Sequence, residues 1–184
     1  TIARTFKRLT VFFIPNTKIN IGYFTSGNEL REPTEKLKGS EINNSNYFSL
    51  KALLNKPYID SKYLGILKDR EEIITKSLLK SINKYNVIIT TGGASVGEED
   101  HLIKIINKLG KLYFWKTAIK PGRPLAFGKI KNTIIICLPG NPVSVHLLYG
   151  MIISPFLEYL CNGKFLVPEG ILAKADFTMK KKNK

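Results

Sequence analysis

The stretch Val87-Ile88-Ile89-Thr90-Thr91-Gly92-Gly93-Ala94-Ser95-Val96-Gly97 decides which fold the sequence predicts. It begins with a short apolar run, which is typical of a strand buried on both faces. Two adjacent glycines follow, and glycine allows the tight turns with positive φ that other residues avoid. A helical pattern then runs from Glu98 to Leu109 and stops at Gly110. A buried strand, a glycine turn and a helix in immediate succession indicate an α/β sheet.

The same alternation of short strands and helices continues on both sides of this stretch. Capping residues mark two of the helix starts. Asp69 is the predicted N-cap and Glu72 its capping-box partner, and Asn141 with Pro142 begins the last helix. The predicted strands are 18–24, 58–67, 87–90, 112–115, 125–127 and 133–138, and the predicted helices are 46–55, 69–84, 98–109 and 142–161. This order predicts an α/β fold, a doubly wound three-layer α/β/α sandwich.

Length and composition exclude several classes of protein. The 184 residues, 43% of them apolar, suit a globular domain that needs no metal or disulfide to fold. The two cysteines, Cys137 and Cys161, form no CxxC pair and no Cys/His cluster. This excludes a zinc module and favours a reducing, cytoplasmic location. No apolar run approaches about 18 residues and no signal peptide is visible, so no membrane segment is expected.

The net charge of +15 would suit a nucleic-acid binder, but the type of basic residue argues against one. Only five of the 29 basic residues are arginines, the side chain that nucleic-acid readers use most for bidentate contacts. We therefore expect a small anionic ligand and no nucleic acid.

Four loops at predicted strand ends hold residues that suit such a ligand, and ligands of doubly wound sheets bind beyond the carboxyl ends of the strands. The glycine loop before Asp100 offers backbone N–H groups and a helix N-terminus to a phosphate. Asp100 suits a divalent cation bridging it to the anion, although an acid in a first helical turn also complements the helix dipole. Glu29, just after the first strand, is either a metal or hydroxyl acceptor or a solvated turn residue.

The other two loops are a cationic turn and a strand-to-helix junction. Lys116, Lys120 and Arg123 lie in a turn stiffened by two prolines, which suits anion capture, and an exposed lysine-rich turn is the alternative. The junction 138–144 contains two prolines and a glycine, a stronger backbone restriction than a purely structural connection usually needs.

Six segments together resemble one family. They read TGGASVGEED at 91–100, FWKTAIKPGRP at 114–124, LPGNPVS at 138–144, TSGNEL at 25–30, INNSN at 42–46 and GILKD at 65–69. In kind, order and spacing they resemble the motifs of the molybdopterin molybdenumtransferases, the MoeA type related to the gephyrin E domain. The resemblance covers about residues 18–163.

The resemblance implies that molybdate is inserted into adenylylated molybdopterin with release of AMP, using Mg²⁺. The implied catalytic residues are Glu29, Asp69, Asp100, Lys116 and Lys120, with Glu29 and Asp100 as the Mg²⁺ ligands. The implied pterin-binding residues are Gly92, Gly93, Ser95, Gly97, Pro139, Gly140, Asn141, Pro142, Ser144, Ser45 and Asn46. Residues 1–17 would be a remnant of a preceding region and 164–184 the start of a C-terminal β domain. A homodimer would form through regions outside this chain.

Three alternatives remain open. The MogA-type molybdopterin adenylyltransferases usually have GTG followed by Arg-Asp in the glycine loop, which Ser95-Val96-Gly97 does not match. The CinA-type N-terminal domain would have GLGPT there. A non-catalytic molybdopterin-binding scaffold would have the same fold without turnover.

Overall fold

The structure is a computed structural model that describes residues 18–92 and 101–162, together with residues 172, 174 and 176–178. Several expected features lie outside these residues: the remnant at 1–17, the helix start at Glu98, and the strands expected after Lys164. Among the predicted site residues, Gly93, Ser95, Gly97 and Asp100 also lie outside them.

Strands and helices alternate along the described chain as predicted. The strands are β1 (Ile19–Ser26), β2 (Leu30–Arg31), β3 (Ile42–Asn43), β4 (Ile59–Leu67), β5 (Val87–Thr91), β6 (Lys111–Trp115), β7 (Ala126–Ile130) and β8 (Thr133–Leu138). The helices are α1 (Ser45–Leu53), α2 (Glu71–Ser81), α3 (His101–Leu109), α4 (Pro142–Leu148), a π-helical segment (Tyr149–Ile153) and α5 (Ser154–Asn162).

Six strands form the central sheet in the order β4-β1-β5-β8-β7-β6, and β2 pairs with β3 beside it. The pairs of β1 with β4, β1 with β5 and β5 with β8 are parallel, whereas β7 is antiparallel to both β8 and β6. Strand β6 therefore runs in the same direction as β8. The carboxyl ends of β1, β4, β5, β6 and β8 all lie at one edge of the sheet.

Helices cover both faces of the sheet, which confirms the three-layer architecture. On one face, alternate residues of β1, β5 and β8 pack against α1, α4, the π-helical segment and α5, with Phe127 and Phe156 in edge contact at 5.4 Å. On the other face, Ile88 and Ile135 pack with buried residues of α2 and α3. Strand β5 is fully buried, as its continuous apolar run predicted.

The prediction that Asp69 is an N-cap with Glu72 in a capping box is wrong. Helix α2 begins at Glu71, and its N-cap is Arg70, which has extended backbone angles and makes no side-chain capping bond. The helix also ends at Ser81, earlier than predicted. The Asp69 N–H, which a capping box would pair with the Glu72 side chain, donates instead to the Asn28 side chain across 3.1 Å.

Some strand boundaries also differ from the predicted ones. Strand β1 continues to Ser26, so Thr25 and Ser26 belong to the strand and not to the turn that follows it. Strand β7 begins at Ala126 and extends to Ile130. The two-residue strands β2 and β3 were not predicted.

The last predicted helix is interrupted by the π-helical segment, where the backbone widens by one residue per turn. Within Pro142–Cys161, a helical stretch of 20 residues, an 18-residue window has a mean hydropathy of 1.4 and is long and apolar enough to span a membrane. The expectation that no apolar run has this length overlooked it. More than half of it, 56%, is buried inside the fold, as in the core helix of a globular domain, so length and hydropathy are weak evidence here.

Candidate functional site

The candidate site lies at the edge of the sheet where β1, β4, β5, β6 and β8 end. The loops after β1, β5, β6 and β8 are the four loops that the sequence singled out, and the parallel strand directions bring them to this one edge. The chain leaves β1 toward α1 on one face and leaves β5 toward α3 on the other. Such a divergence between neighbouring strands opens a crevice at their carboxyl ends, where doubly wound sheets bind ligands.

Gly92 is at the centre of this edge. It has φ of +81°, and a Cβ at this position would overlap the carbonyl oxygen of Ser26. Its N–H donates to the Leu138 carbonyl across 3.0 Å, and a Cβ on Gly140 would lie 3.6 Å from its Cα. Three strand ends therefore meet here through backbone alone, which only glycine permits.

Four side-chain oxygen atoms around this point are buried without a hydrogen-bond partner in the described part of the chain. The atoms are the Asn46 Oδ1 and the hydroxyls of Ser26, Thr90 and Thr91. The Asn46 Nδ2 donates to the Gly140 carbonyl across 2.8 Å, which holds the start of α1 against the 138–144 junction. Buried polar atoms are nearly always paired in native proteins, so these atoms indicate a place for water or a ligand.

Sequence reasoning included Asn46 in the site but gave no role to Ser26, Thr90 or Thr91. One feature of the sequence could have indicated them: all three are hydroxyl residues at the carboxyl ends of otherwise apolar strands, where doubly wound sheets bind ligands.

Glu29 and Asp69 lie on the β1 and β4 side of the edge. Both are exposed. The Glu29 carboxylate folds back over Gly27, where a Cβ would come within 2.6 Å of its Oε2. The bond from the Asp69 N–H to the Asn28 Oδ1 joins the two strand ends, so the sequence-predicted acids are brought to neighbouring loops. Capping no longer accounts for Asp69, because α2 does not use it.

A buried polar network fixes the loop that contains Glu29. The Asn44 Nδ2 donates to the Thr25 hydroxyl and to the Tyr63 hydroxyl, each across 2.9 Å. The Tyr63 hydroxyl donates to the Glu32 carboxylate across 2.9 Å. Burial raises the pKa of Tyr63 to about 12, and the Glu32 carboxylate also favours the neutral phenol. The network ties β1, β4 and the start of α1 together, and sequence reasoning missed it.

The cationic turn between β6 and β7 is fixed by Thr117. Its hydroxyl donates to the Gly122 carbonyl across 2.9 Å, and its N–H donates to the Arg123 carbonyl across 2.8 Å. Lys116 and Lys120 are both exposed on this turn. Lys116 has φ of +72°, unusual for a residue with a side chain, and its Nζ lies 4.2 Å from the centre of the Trp115 ring.

The 138–144 junction has the predicted geometry. Asn141 is the N-cap of α4, and its Oδ1 accepts hydrogen bonds from the N–H groups of Val143 at 2.9 Å and Ser144 at 3.4 Å. Pro142 occupies the first turn and Ser144 is buried. Pro139 is buried while Gly140 is exposed, so the glycine backbone lies at the surface of the edge.

The acids and the lysines lie at opposite ends of the edge. Strands β1 and β6 are four positions apart in the sheet, roughly 19 Å at the usual strand spacing. A single small anion would not contact both groups, whereas a long ligand lying along the edge would. Among the described residues, no group of three or more His, Cys, Asp or Glu side chains could hold a metal ion.

Two surface cavities among the described residues are lined by none of the predicted site residues. One, of about 770 Å³, is an outer cavity lined by residues of α2, among them Glu71, Lys76 and Leu79, and by Lys108 of α3. The second, of about 730 Å³, lies between α1 and β4 against Tyr23, Tyr47 and Tyr63. We place the site at the strand ends because the unpaired buried polar atoms and the convergent loops are there.

These features define a class: a doubly wound α/β domain whose ligand crevice is at the carboxyl ends of its strands. Residues 22–159 match the family described as "Probable molybdopterin binding domain". The chain therefore belongs to this molybdopterin-binding family.

Individual proteins that are similar in sequence support the assignment to this family. The chain is 36% identical to a molybdopterin molybdenumtransferase of Haemophilus influenzae over 165 residues, which are 89% of this chain and 41% of the relative. A molybdopterin molybdenumtransferase of Synechocystis is 36% identical over 130 residues, 69% of this chain and 33% of the relative. The chain thus spans less than half the length of these relatives.

Solved structures have the same fold. The crystal structure of a MoeA protein of Pyrococcus horikoshii superposes with a TM-score of 0.70 and 27% identity, covering 78% of this chain and 35% of that one. A molybdenum cofactor biosynthesis protein B gives a TM-score of 0.61 at 20% identity, over 80% of this chain and 96% of that one, which shows a shared fold alone.

Proposed function

We propose that this chain is the molybdopterin-binding domain of a molybdenum cofactor biosynthesis enzyme that inserts molybdate into adenylylated molybdopterin and releases AMP. One observation supports this most: the chain presents acids, unpaired buried polar atoms around Gly92, and exposed lysines in sequence along a single edge. Adenylylated molybdopterin is long and has a diphosphate at its middle, so it suits such an edge. The relatives named molybdopterin molybdenumtransferase support the choice of reaction.

The proposed roles follow from chemistry and position. Backbone N–H groups and small residues around Gly92 and Gly140 would receive the diphosphate, and Asn46 and Thr91 would bond polar atoms of the ligand. Lys116 and Lys120 would offset negative charge on molybdate or on the phosphates. Hydrolysis of the diphosphate consumes one water and leaves two phosphate monoesters with more negative charge, which cations stabilise.

Mg²⁺ belongs to this proposal. Glu29 is an exposed carboxylate beside the strand ends, and a hard oxygen donor of this kind suits Mg²⁺, which takes one or two carboxylates together with substrate phosphates. Glu29 and Asp100 would hold the ion, and Asp69 on the neighbouring loop would orient water or substrate. When bound, Mg²⁺ would neutralise charge on the diphosphate.

The remaining expectations are proposals for the longer protein. We place the molybdopterin-binding domain at 18–163, with 1–17 and 164–184 belonging to neighbouring regions, and the match over 22–159 supports that division. We also propose a cytoplasmic homodimer. The described cysteines, Cys137 and Cys161, are buried thiols, which is compatible with a reducing compartment.

The test is AMP release from adenylylated molybdopterin upon addition of molybdate, measured in the longer protein that contains this chain. We expect Asp100→Asn to reduce molybdate-dependent AMP release by orders of magnitude while ligand binding persists. Glu99→Gln removes a neighbouring carboxylate and should leave the rate nearly unchanged. Wild-type AMP release by Asp100→Asn at saturating Mg²⁺ would remove Asp100 from the chemistry. AMP incorporation from ATP without molybdate would favour the adenylyltransferase, and ligand binding without turnover would favour the scaffold.

A further inference from the structure

Trp115, the only tryptophan of the chain, lies at the carboxyl end of β6. Its side chain is 39% exposed, although a side chain of this size is usually well buried. It is paired with Ala126 at the start of β7, so the ring stands at the same edge of the sheet as Gly92 and the cationic turn. No role for Trp115 in the site is implied by the sequence motifs discussed above.

The backbone around the ring is held in an unusual conformation. Lys116 has φ of +72°, a region that residues with side chains seldom occupy, and it directs its Nζ to within 4.2 Å of the Trp115 ring centre. Backbone conformations of this kind persist where surrounding bonds enforce them, and they cluster at functional sites. Here the surrounding bonds are those of Thr117 to Gly122 and Arg123, which fix the turn directly after the ring.

We propose that Trp115 is a stacking platform for a fused, amino-substituted heterocycle of the ligand, and that the Lys116 ammonium leaves the ring to bind the adjoining phosphate. This inference rests on the proposed function and adds a ring-binding subsite to it. An exposed cation–π contact is weak, so a stacked heterocycle together with a charge-assisted bond to phosphate outcompetes it. An electron-rich indole face next to an exposed cation suits a ring attached to a phosphate.

Position in the sheet indicates which part of the ligand would reach Trp115. Strands β5 and β6 are three positions apart, so the ring lies roughly 14 Å from Gly92 along the edge. A diphosphate at Gly92 would therefore place one of the two heterocycles of adenylylated molybdopterin, adenine or pterin, near Trp115. The two rings have the same stacking chemistry, and separate ligands distinguish them.

A second lysine–aromatic contact, between Lys111 and Tyr113, lies at the other end of β6 and has ordinary geometry. The Lys111 Nζ lies 5.4 Å from the Tyr113 ring centre, but Tyr113 is partly buried against the core, and Lys111 is not among the residues with positive φ. Lys111 is thus a matched control for Lys116. It has the same charge and is the first residue of β6, whereas Lys116 directly follows the last residue of that strand, at the opposite edge of the sheet.

The test uses the fluorescence of this single tryptophan in the full 184-residue chain. AMP, a pterin with a phosphorylated side chain, and ribose phosphate without a ring are titrated separately, and calorimetry measures each affinity. We expect saturable quenching by AMP or by the pterin phosphate and no quenching by ribose phosphate. The ligand that quenches identifies the ring that stacks.

Variants separate stacking from charge. By calorimetry, Trp115→Leu should weaken binding of the quenching ligand by about tenfold, and Trp115→Phe should recover part of that affinity. Binding of ribose phosphate should be unchanged in both. Lys116→Gln should weaken all three phosphate ligands, whereas Lys111→Gln should weaken none. Thermal melts establish that each variant is folded.

Two results would overturn the inference. One is equal quenching by ribose phosphate, since that ligand has no ring to stack. The other is unchanged affinity of folded Trp115→Leu for AMP and for the pterin phosphate. Failure of the inference and failure of the proposed function give different results. Normal AMP release by the longer protein carrying Trp115→Leu would contradict the stacking platform alone. Quenching of Trp115 by AMP in a protein that releases no AMP from adenylylated molybdopterin would contradict the proposed reaction alone.

Discussion

Replacing Gly92 with alanine perturbs the point where three strand ends meet. The substitution has two costs. A residue with a side chain at φ of +81° is disfavoured by about 1–2 kcal/mol. The new Cβ would also overlap the Ser26 carbonyl oxygen, and relief of such an overlap costs about 1–3 kcal/mol. The sum, about 2–5 kcal/mol, is a large share of the 5–15 kcal/mol by which a typical domain is stable.

Urea unfolding of this chain, followed by circular dichroism, measures the effect. With a slope of about 2 kcal/mol per molar, Gly92→Ala should lower the unfolding midpoint by about 1–2.5 M. Gly140→Ala is the matched control, because its Cβ would have only the Cα of Gly92 at 3.6 Å, an ordinary contact. It should change stability by less than about 0.5 kcal/mol. Equal stabilities of the two variants would refute the close approach of β1, β5 and β8 described here.

Three further predictions concern charge, capping and pH. Changing Lys116 and Lys120 to Gln together should weaken binding of the anionic ligand most at low ionic strength, because salt screens exposed charges. Lys111→Gln is the control. An equal loss of affinity at all salt concentrations would contradict the electrostatic role. Asn141→Ala should destabilise the chain by about 1 kcal/mol in the same urea assay, since it removes the acceptor of two N–H groups of α4, and an unchanged midpoint would contradict the cap. Folding raises the pKa of Tyr63 from 10.0 to about 12, so the unfolded chain loses this proton at lower pH than the folded chain does. The free energy of unfolding should therefore fall as the pH rises from 10 to about 12. Tyr63→Phe should flatten that fall, and an unaltered slope would show that this phenol does not cause it.

The sequence predicted correctly those elements whose structure depends on residues that are adjacent in the chain. Strand β5 is an apolar run bounded by Asn86 and Gly92, and the structure buries all five of its residues. The N-cap at Asn141 depends on bonds within three residues, so the sequence alone located it. The same locality placed the four site loops at strand ends, and parallel pairing then brought them to one edge.

Contacts between distant residues explain what the sequence did not reveal. The Asp69 capping box was the best local interpretation, but the Asp69 N–H bonds to Asn28, 41 residues away, and α2 begins later. The network joining Thr25, Asn44 and Tyr63 spans separations of 19 and 38 residues, which no local pattern reveals. The π-helical segment and the unpaired hydroxyls were likewise not predicted from the sequence.

A structure of this chain with bound adenylylated molybdopterin tests the central claim most directly. We predict ligand density along the carboxyl edge of the sheet, with the diphosphate against Gly92 and Gly140 and an anionic group within bonding distance of Lys116. Density in the outer cavity lined by Glu71 and Lys108, or in the groove between α1 and β4, with the strand ends empty, would contradict the assignment of this edge as the molybdopterin site.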